Sequence, residues 1–452
     1  MHFMCSQRKG VLCGFCSDGL SVYFHSRDYH CGSESLCSYG LLFYALSELL
    51  PVVVIFTIII FFNISFTSGN VNGLILFSQA LDIVTINFKD YQIDQEIFYN
   101  LPMHLKIQYY LQHIYEGIYD IFNLDFFRYK QLSYCMFKNA GVMPILAIKY
   151  ITTLFAFFLV LCLVALLNSN RCVRICQLQR RIQSTVKASY IHGISAFLVL
   201  CYAQCTRVTF FILTWANLTG NSKAQPQNIA VTYYGGLQYF GKNHIPYALP
   251  ALACLCSIVV LPPLLLTFYP LALQLLGKCG LSEHRVVALF LKFSQINRLV
   301  PVLDSFQACF KDNMRCFAGF YFLYRVGLLA VYSFWRSSSV FYALSEFLLI
   351  LFLGIHAVAQ PYAYRRHNIV DGLLFLNLAV INGLSAYSTI AKVEDKQLHG
   401  AQHNIKSPLY TGYFQLMLIY FPMIIVFGVL VRHCYLKQCK TKDPHNIGEL
   451  YK

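Results

Sequence analysis

The stretch Val142-Met-Pro-Ile-Leu-Ala-Ile-Lys149-Tyr-Ile-Thr-Thr-Leu-Phe-Ala-Phe-Phe-Leu-Val160-Leu-Cys-Leu-Val-Ala-Leu-Leu167 is enough to place this chain in a bilayer. A helix needs about 20 predominantly apolar residues to cross the hydrocarbon core, and this one carries a single charge, Lys149. Seven further stretches read the same way: Leu41–Phe62, Tyr190–Trp215, Ala248–Leu276, Phe317–Phe334, Val340–Val358, Ile369–Ile390 and Phe414–Val431. A ninth, Val71–Asn87, is more polar and fits either a crossing helix or a re-entrant hairpin. Apolar residues make up 57% of the chain and charged ones only 12%, about half the charged share of a soluble domain. The expected fold is all-α: a polytopic helical membrane protein of about nine transmembrane helices. A short Cys-rich module (1–40) precedes the membrane domain (41–431), and a basic tail (432–452) follows it.

The net charge of +15 does not form one patch. Lys and Arg cluster in short loops, which reads as an orientation signal and contact with anionic inner-leaflet lipids rather than nucleic-acid binding. Arg171, Arg174, Arg180, Arg181 and Lys187 fill the loop after Leu167; Lys278, Arg285, Lys292, Arg298, Lys311 and Arg315 follow Leu276. Arg365 and Arg366 hold a tight turn, and Arg432, Lys437, Lys440, Lys442 and Lys452 lie in the tail. These four regions are expected in the cytosol. The loop at 216–247 is poorer in base and carries the sequon Asn217-Leu-Thr219, which makes Asn217 the glycosylation candidate.

Five cysteines crowd the first 37 residues: Cys5, Cys13, Cys16, Cys31 and Cys37. That density suits disulfides in an oxidising compartment. No apolar leader precedes them, so the module reads as the end of a larger ectodomain, or else the first span acts as a reverse anchor. A zinc site at Cys13-x-x-Cys16 is the competing reading, but it lacks a second ligand pair. With the module outside and the loop at 168–189 inside, an odd number of spans must separate them. Val71–Asn87 should therefore cross, giving an extracellular N-terminus and a cytosolic C-terminus. The sequon at Asn63-Ile-Ser65 then faces the cytosol and stays unmodified. The outside loop at 88–141 holds one cysteine, Cys135, a candidate partner for the odd cysteine of the module; two free thiols are the alternative.

Six ionisable residues fall well inside spans: Glu48, Asp82, Lys149, Arg207, Arg325 and Glu346. Charge there is expensive and needs a partner or a water-filled cavity. At about 1.5 Å per residue all six lie roughly 7–14 Å from the outer face. Arg325 and Glu346 sit on consecutive spans at similar depth and are expected to pair. Glu48 and Asp82 are expected to serve Lys149 and Arg207. The set reads either as structural pairs or as a polar vestibule open to the outside.

Leu299–Arg315 is amphipathic in part and is expected to lie on the inner membrane surface. Asp371 opens a span and is a candidate partner for Arg365 or Arg366. Pro262 and Pro263 should kink their helix, and Pro422 the last one. His399 and His403 have a spacing that one metal site uses, but no carboxylate or cysteine completes a set. No G-x-S-x-G elbow, Walker loop or H-E-x-x-H motif is present. An enzyme is therefore not expected, nor a cofactor.

Four blocks together resemble a family of multi-pass surface proteins of sponges, cnidarians and other invertebrates. They are Cys5-Ser-Gln-Arg-Lys-Gly-Val-Leu-Cys13-Gly-Phe-Cys16-Ser-Asp-Gly-Leu-Ser21, Gly69-Asn-Val-Asn-Gly73-Leu-Ile-Leu-Phe77, Phe122-Asn-Leu-Asp-Phe-Phe-Arg128 followed by Cys135, and Asp304-Ser-Phe-Gln-Ala-Cys-Phe-Lys-Asp-Asn-Met-Arg-Cys-Phe-Ala-Gly319. In that family the membrane domain usually follows a large ectodomain, often a parallel β-helix; the resemblance carries no activity. A looser similarity, to fungal channel-like proteins of the transient-receptor-potential type, rests on the multi-pass layout and the basic segment before Phe317. The expected function is a non-enzymatic cell-surface membrane protein, the membrane base of a receptor- or adhesion-like protein with an extracellular ligand. The alternative is an ion channel or transporter, with an extracellular solute passing an outer-half polar vestibule.

Overall fold

The computed structural model describes residues 8–9, 15–17, 20–25, 28–61, 65–67, 69–84, 103, 106–107, 110–111, 114, 122–123, 134–135, 142–168, 179–218, 228–231, 234–278, 296–335, 339–399, 414–422 and 424. Among them seven helices are long and apolar enough to cross a membrane: Cys37–Ile60, Leu146–Leu163, Gly193–Leu213, Ile245–Leu271, Asp312–Trp335, Val340–Ala359 and Arg365–Ile390. The chain is a helical, polytopic membrane protein. Large apolar side chains such as Phe158, Phe268, Phe347 and Val358 point outward, while Gln79, Lys149, Arg325 and Asp371 are buried. Only a lipid solvent favours that inversion.

At one end of the bundle sits a small sheet. Strands β3 (Leu20–His25) and β4 (Asp28–Ser33) form a hairpin, and β5 (Tyr134–Cys135) adds to β3. Ahead of it, β1 (Arg8–Lys9) pairs with β2 (Phe15–Cys16). Cys16 is bonded to Cys31, and Cys37 to Cys135 across 98 residues. Cys5 and Cys13 lie outside the described residues. The first span follows as α1 (Gly40–Tyr44), a π-helical turn Ala45–Leu49 and α2 (Leu50–Phe61).

Next comes α3 (Gly69–Val84), the segment whose role the sequence leaves open. It is a helix, about 24 Å long at 1.5 Å per residue. Residues 72–81 are all buried, so α3 is a core element rather than a lipid-facing one. After it come α4 (Val142–Asn168), α5 (Gln179–Leu213), α6 (Ile245–Cys254), α7 (Leu261–Lys278), α8 (Ile296–Gln307), α9 (Phe317–Trp335), α10 (Ser339–Ala359) and α11 (Arg365–His399), of which α11 and α9 pack most closely on α3. The apolar window of α5 is 83% buried and that of α10 only 28%, so α5 is central and α10 faces lipid. Strands β6 (Trp215–Leu218), β7 (Asn228–Val231) and β8 (Tyr234–Gln238) cover the end of α5, with Asn217 opposite Ile229 in β6. Of the stretch at 414–431, 414–422 and 424 are described, with Pro422 buried; the basic tail lies outside.

The proline pair is accommodated by a change of helix type. A π-helical turn, Leu255–Val260, joins α6 to α7 just before Pro262 and Pro263. Pro263 has no N–H, so the carbonyl of Val259 loses its helical donor. Tyr202 of α5 supplies one: its hydroxyl donates to that carbonyl at 2.6 Å. Tyr202→Phe should leave the carbonyl bare and cost about 1–2 kcal/mol, read as a lower thermal midpoint of the purified protein in detergent. An unchanged midpoint would show that the π-turn holds without this bond.

The segment at 299–315, expected at the inner membrane surface, packs one side against the bundle. Within α8, Val302 and Phe306 are buried, Ser305 bonds Ser195 of α5 at 2.6 Å, and Gln307 donates to the Leu266 carbonyl of α7 at 3.4 Å. Its apolar residues Val302 and Phe306, at i and i+4, face protein. Just after it, Phe310 bridges to Tyr362, Lys311 N–H donates to the Pro361 carbonyl, and Ala363 N–H donates to that of Cys309. The α10–α11 turn is thereby hydrogen-bonded to the α8–α9 junction.

Candidate functional site

Five of the six expected charges have described side chains, each in different surroundings. Glu48, in the first π-turn, and Lys149 of α4 form an ion pair. Both are buried, and Tyr44 and Thr152 exchange a hydroxyl bond of 2.5 Å nearby. Arg207 is half-buried on α5. Asp82 belongs to α3, but its side chain lies outside the described set, and so does any pairing of it.

Arg325 and Glu346 do not pair. Arg325 of α9 turns toward α3, where its Nε donates to Gln79 Oε1 at 2.7 Å and its Nη2 to Asn72 Oδ1 at 3.4 Å. Glu346 of α10 turns toward α11 and accepts from Asn382 Nδ2 at 2.8 Å. Matching depth along two antiparallel helices does not fix azimuth, and a helix turns about 100° per residue. The same correction applies to Asp371. It bonds neither Arg365 nor Arg366, which are exposed, and the guanidinium of Arg366 lies over the Tyr364 ring.

Asp371 is instead fully enclosed, at 1% exposure. Its Oδ2 accepts two hydrogen bonds, from Tyr321 Oη of α9 at 2.5 Å and from Tyr362 Oη of the α10–α11 turn at 2.6 Å. Tyr362 is held by its own backbone: its N–H donates to Asn368 Oδ1, and Asn368 Nδ2 donates back to its carbonyl. Burial pushes the Tyr362 phenol well above its ordinary range, so it stays a donor.

The site can be built from three helices that each give residues at i and i+4, hence on one face. From α9 come Tyr321 and Arg325; from α11, His367 and Asp371; from α3, Gly69 and Gly73. The glycines allow the close approach. A Cβ on Gly73 would lie 2.0 Å from Asp371 Oδ1, and one on Gly69 would lie 2.6 Å from His367 Nδ1. Further along α3, Gln79 also donates to the Val199 carbonyl at 3.2 Å. A cavity of about 10 Å³ beside Arg325 and Gln79, otherwise lined by Leu76, Ala80, Leu328 and Leu329 among others, is about the size of one water. The polar groups thus form a seam along α3, from Asp371 past Asn72 and Arg325 to Gln79.

Of these residues Arg325 stands out in the sequence as a charge and Asp371 as a partner for the turn arginines, whereas Tyr321, Tyr362, Asn72 and Gln79 carry no such mark. The available signal was the matched spacing of Gly69-x-x-x-Gly73 and His367-x-x-x-Asp371. Among the described residues no group of three His, Cys, Asp or Glu is placed to hold a metal ion. His403 and the side chain of His399 lie outside them. Comparison with protein-family models, curated proteins and solved structures gives no match. The resemblance to invertebrate surface proteins therefore rests on its four sequence blocks.

Proposed function

We propose that this chain is the membrane base of a receptor- or adhesion-like cell-surface protein. The observation that supports this reading best is the Cys37–Cys135 disulfide, which ties the mouth of the first span to the segment leading into α4. Disulfides persist in oxidising compartments, so the sheet end belongs outside and the basic loops inside. With α3 and the stretch at 414–431 counted as crossings, nine spans follow in the plasma membrane. The N-terminus is then extracellular and the C-terminus cytosolic. In this reading the partners are the bilayer, its anionic inner leaflet and an extracellular ligand. A second reading, a channel or transporter, draws on the seam along α3, where Arg325 Nη1 and Asp371 Oδ1 are buried without a hydrogen-bond partner among the described residues.

Topology separates the proposal from its failure. Tags at both termini are probed with antibodies in intact and permeabilised cells, and glycosidase treatment is compared for the wild type and Asn217→Gln. The expected result is an accessible N-terminus, a protected C-terminus and a glycan lost with Asn217. Both termini protected would put the cysteine module in the cytosol and end the surface-base reading.

A further inference from the structure

We infer that His367 and Asp371 form a two-station proton site, closed by the glycine face of α3 and reached from the α10–α11 turn. The inference does not depend on the surface-base reading. Its first support is stoichiometry. A neutral carboxyl group has one carbonyl oxygen with two lone pairs and one hydroxyl oxygen. Asp371 Oδ2 receives two tyrosine hydroxyls, and Oδ1 has no hydrogen-bond partner among the described residues. A neutral acid protonated on Oδ1 fits that arrangement, because its carbonyl oxygen, Oδ2, can accept both hydroxyls. An ionised carboxylate would leave a bare charged oxygen inside the membrane, which is costly.

Size selects the ligand. A hard metal cation needs about six oxygen ligands at roughly 2.0–2.6 Å. Oδ1 lies so close to Gly73 that a single added carbon would overlap it at 2.0 Å, and both nearby hydroxyls already bond Oδ2. A proton needs no such shell.

The titratable and charged groups around the carboxyl come from every side but one. They are Tyr321 and Arg325 of α9, Tyr362 of the turn, Cys309 beyond the end of α8, His356 of α10 and His367 one turn back on α11. The stretch of α3 that packs on them, Gly69 to Gly73, presents no titratable side chain. Burial, with Asp371 nearby, pushes the Cys309 thiol up to about 12, so it does not compete for the proton. The imidazole of His356 is engaged through Nε2 with the Asn368 carbonyl. The Nδ1 atoms of both histidines have no hydrogen-bond partner among the described residues, but His356 is enclosed at 1% exposure, whereas His367 is half-buried and its Nδ1 lies against the same glycine face. In the relay a proton binds His367 Nδ1, leaves it, and adds to Asp371 Oδ1. No electron moves and no covalent bond between heavy atoms forms or breaks. Because Tyr362 joins Asp371 to the turn bonded to the α8–α9 junction, loading the site changes the bonds that hold that turn.

The test is infrared titration of the full-length protein in lipid nanodiscs, with aspartate isotope-labelled at its carboxyl carbon. The wild type should show a protonated-aspartate carbonyl band at about pH 5 that disappears toward about pH 9. Asp371→Asn should abolish it. Tyr362→Phe, which removes one bond to Oδ2, should move the band to higher frequency, and it reports on the site even where the asparagine variant fails to fold. His367→Gln should keep the band but slow its shift on transfer to heavy water by about tenfold or more. Absence of the band, or a band constant across the range or indifferent to Tyr362→Phe, overturns the proton site. Unslowed exchange in His367→Gln overturns the relay.

Discussion

Gly319→Ala is expected to destabilise the membrane domain strongly. A Cβ there would lie 1.9 Å from Thr267 Oγ1, 2.6 Å from the Pro263 carbonyl oxygen and 2.7 Å from the Thr267 backbone nitrogen. Two of the three atoms are backbone and have no rotamer to escape through. They are also pinned, because the Thr267 hydroxyl donates back to the Pro263 carbonyl at 2.8 Å. Overpacking a core costs about 1–3 kcal/mol and occasionally more; here α9 must withdraw from the proline region of α7, so the top of that range or beyond is expected. Against a total stability of about 5–15 kcal/mol, this should appear as aggregated protein in fluorescence-detected size exclusion. Adding Thr267→Ala removes only the hydroxyl contact and should not rescue it. Gly354→Ala and Gly383→Ala are the controls, since a Cβ at either meets nothing within 4 Å. Each should be neutral or stabilise its helix by up to about 1 kcal/mol. A Gly319→Ala protein that elutes and melts like the wild type would refute the close α7–α9 crossing.

The second large effect concerns the buried ion pair of Glu48 and Lys149. Removing one partner of such a pair costs about 3–5 kcal/mol, because a charge is left uncompensated in a medium that cannot solvate it. Lys149→Met and Glu48→Leu should therefore each lower the thermal midpoint strongly. Together they should recover most of the loss, since apolar residues can replace a buried pair at little net cost. The exchange Glu48→Lys with Lys149→Glu should also recover part of it. For Arg325 and Glu346 the outcome should differ. They face different helices, so exchanging them restores nothing, and the two single effects add. A Glu48/Lys149 double variant no better than its worse single variant would show that the pair is not the energetic unit.

These two cases mark what the sequence made legible. Long apolar runs are a one-dimensional signal, and they located the seven membrane helices found among the described residues to within a few residues. Depth is also one-dimensional, and it placed Glu48 and Lys149, like Arg325 and Glu346, at matching levels. Which way a side chain points around its helix depends on where neighbouring helices stand, and no single stretch records that. The partners of Asp371 were hidden for another reason. Tyr321 and Tyr362 read as ordinary aromatic residues in a chain with 32 tyrosines, and only the docking of the α10–α11 turn brings the second hydroxyl down onto the carboxyl. The character of α3 was obscured by its polarity. A helix wrapped by other helices needs no lipid-facing surface, so Asn72 and Gln79 cost little there and weaken the hydropathy pattern by which it would be found.

The covalent link from Cys37 to Cys135 encloses α1, α2 and α3 in one ring. A protease that cuts any single peptide bond within that ring makes two polypeptides but releases neither. The cut protein keeps its mass on a non-reducing gel and separates only when reduced. Cleavage inside the ring therefore leaves this end of the molecule attached, whereas a cut before Cys16 frees whatever lies upstream and is not held by another bond.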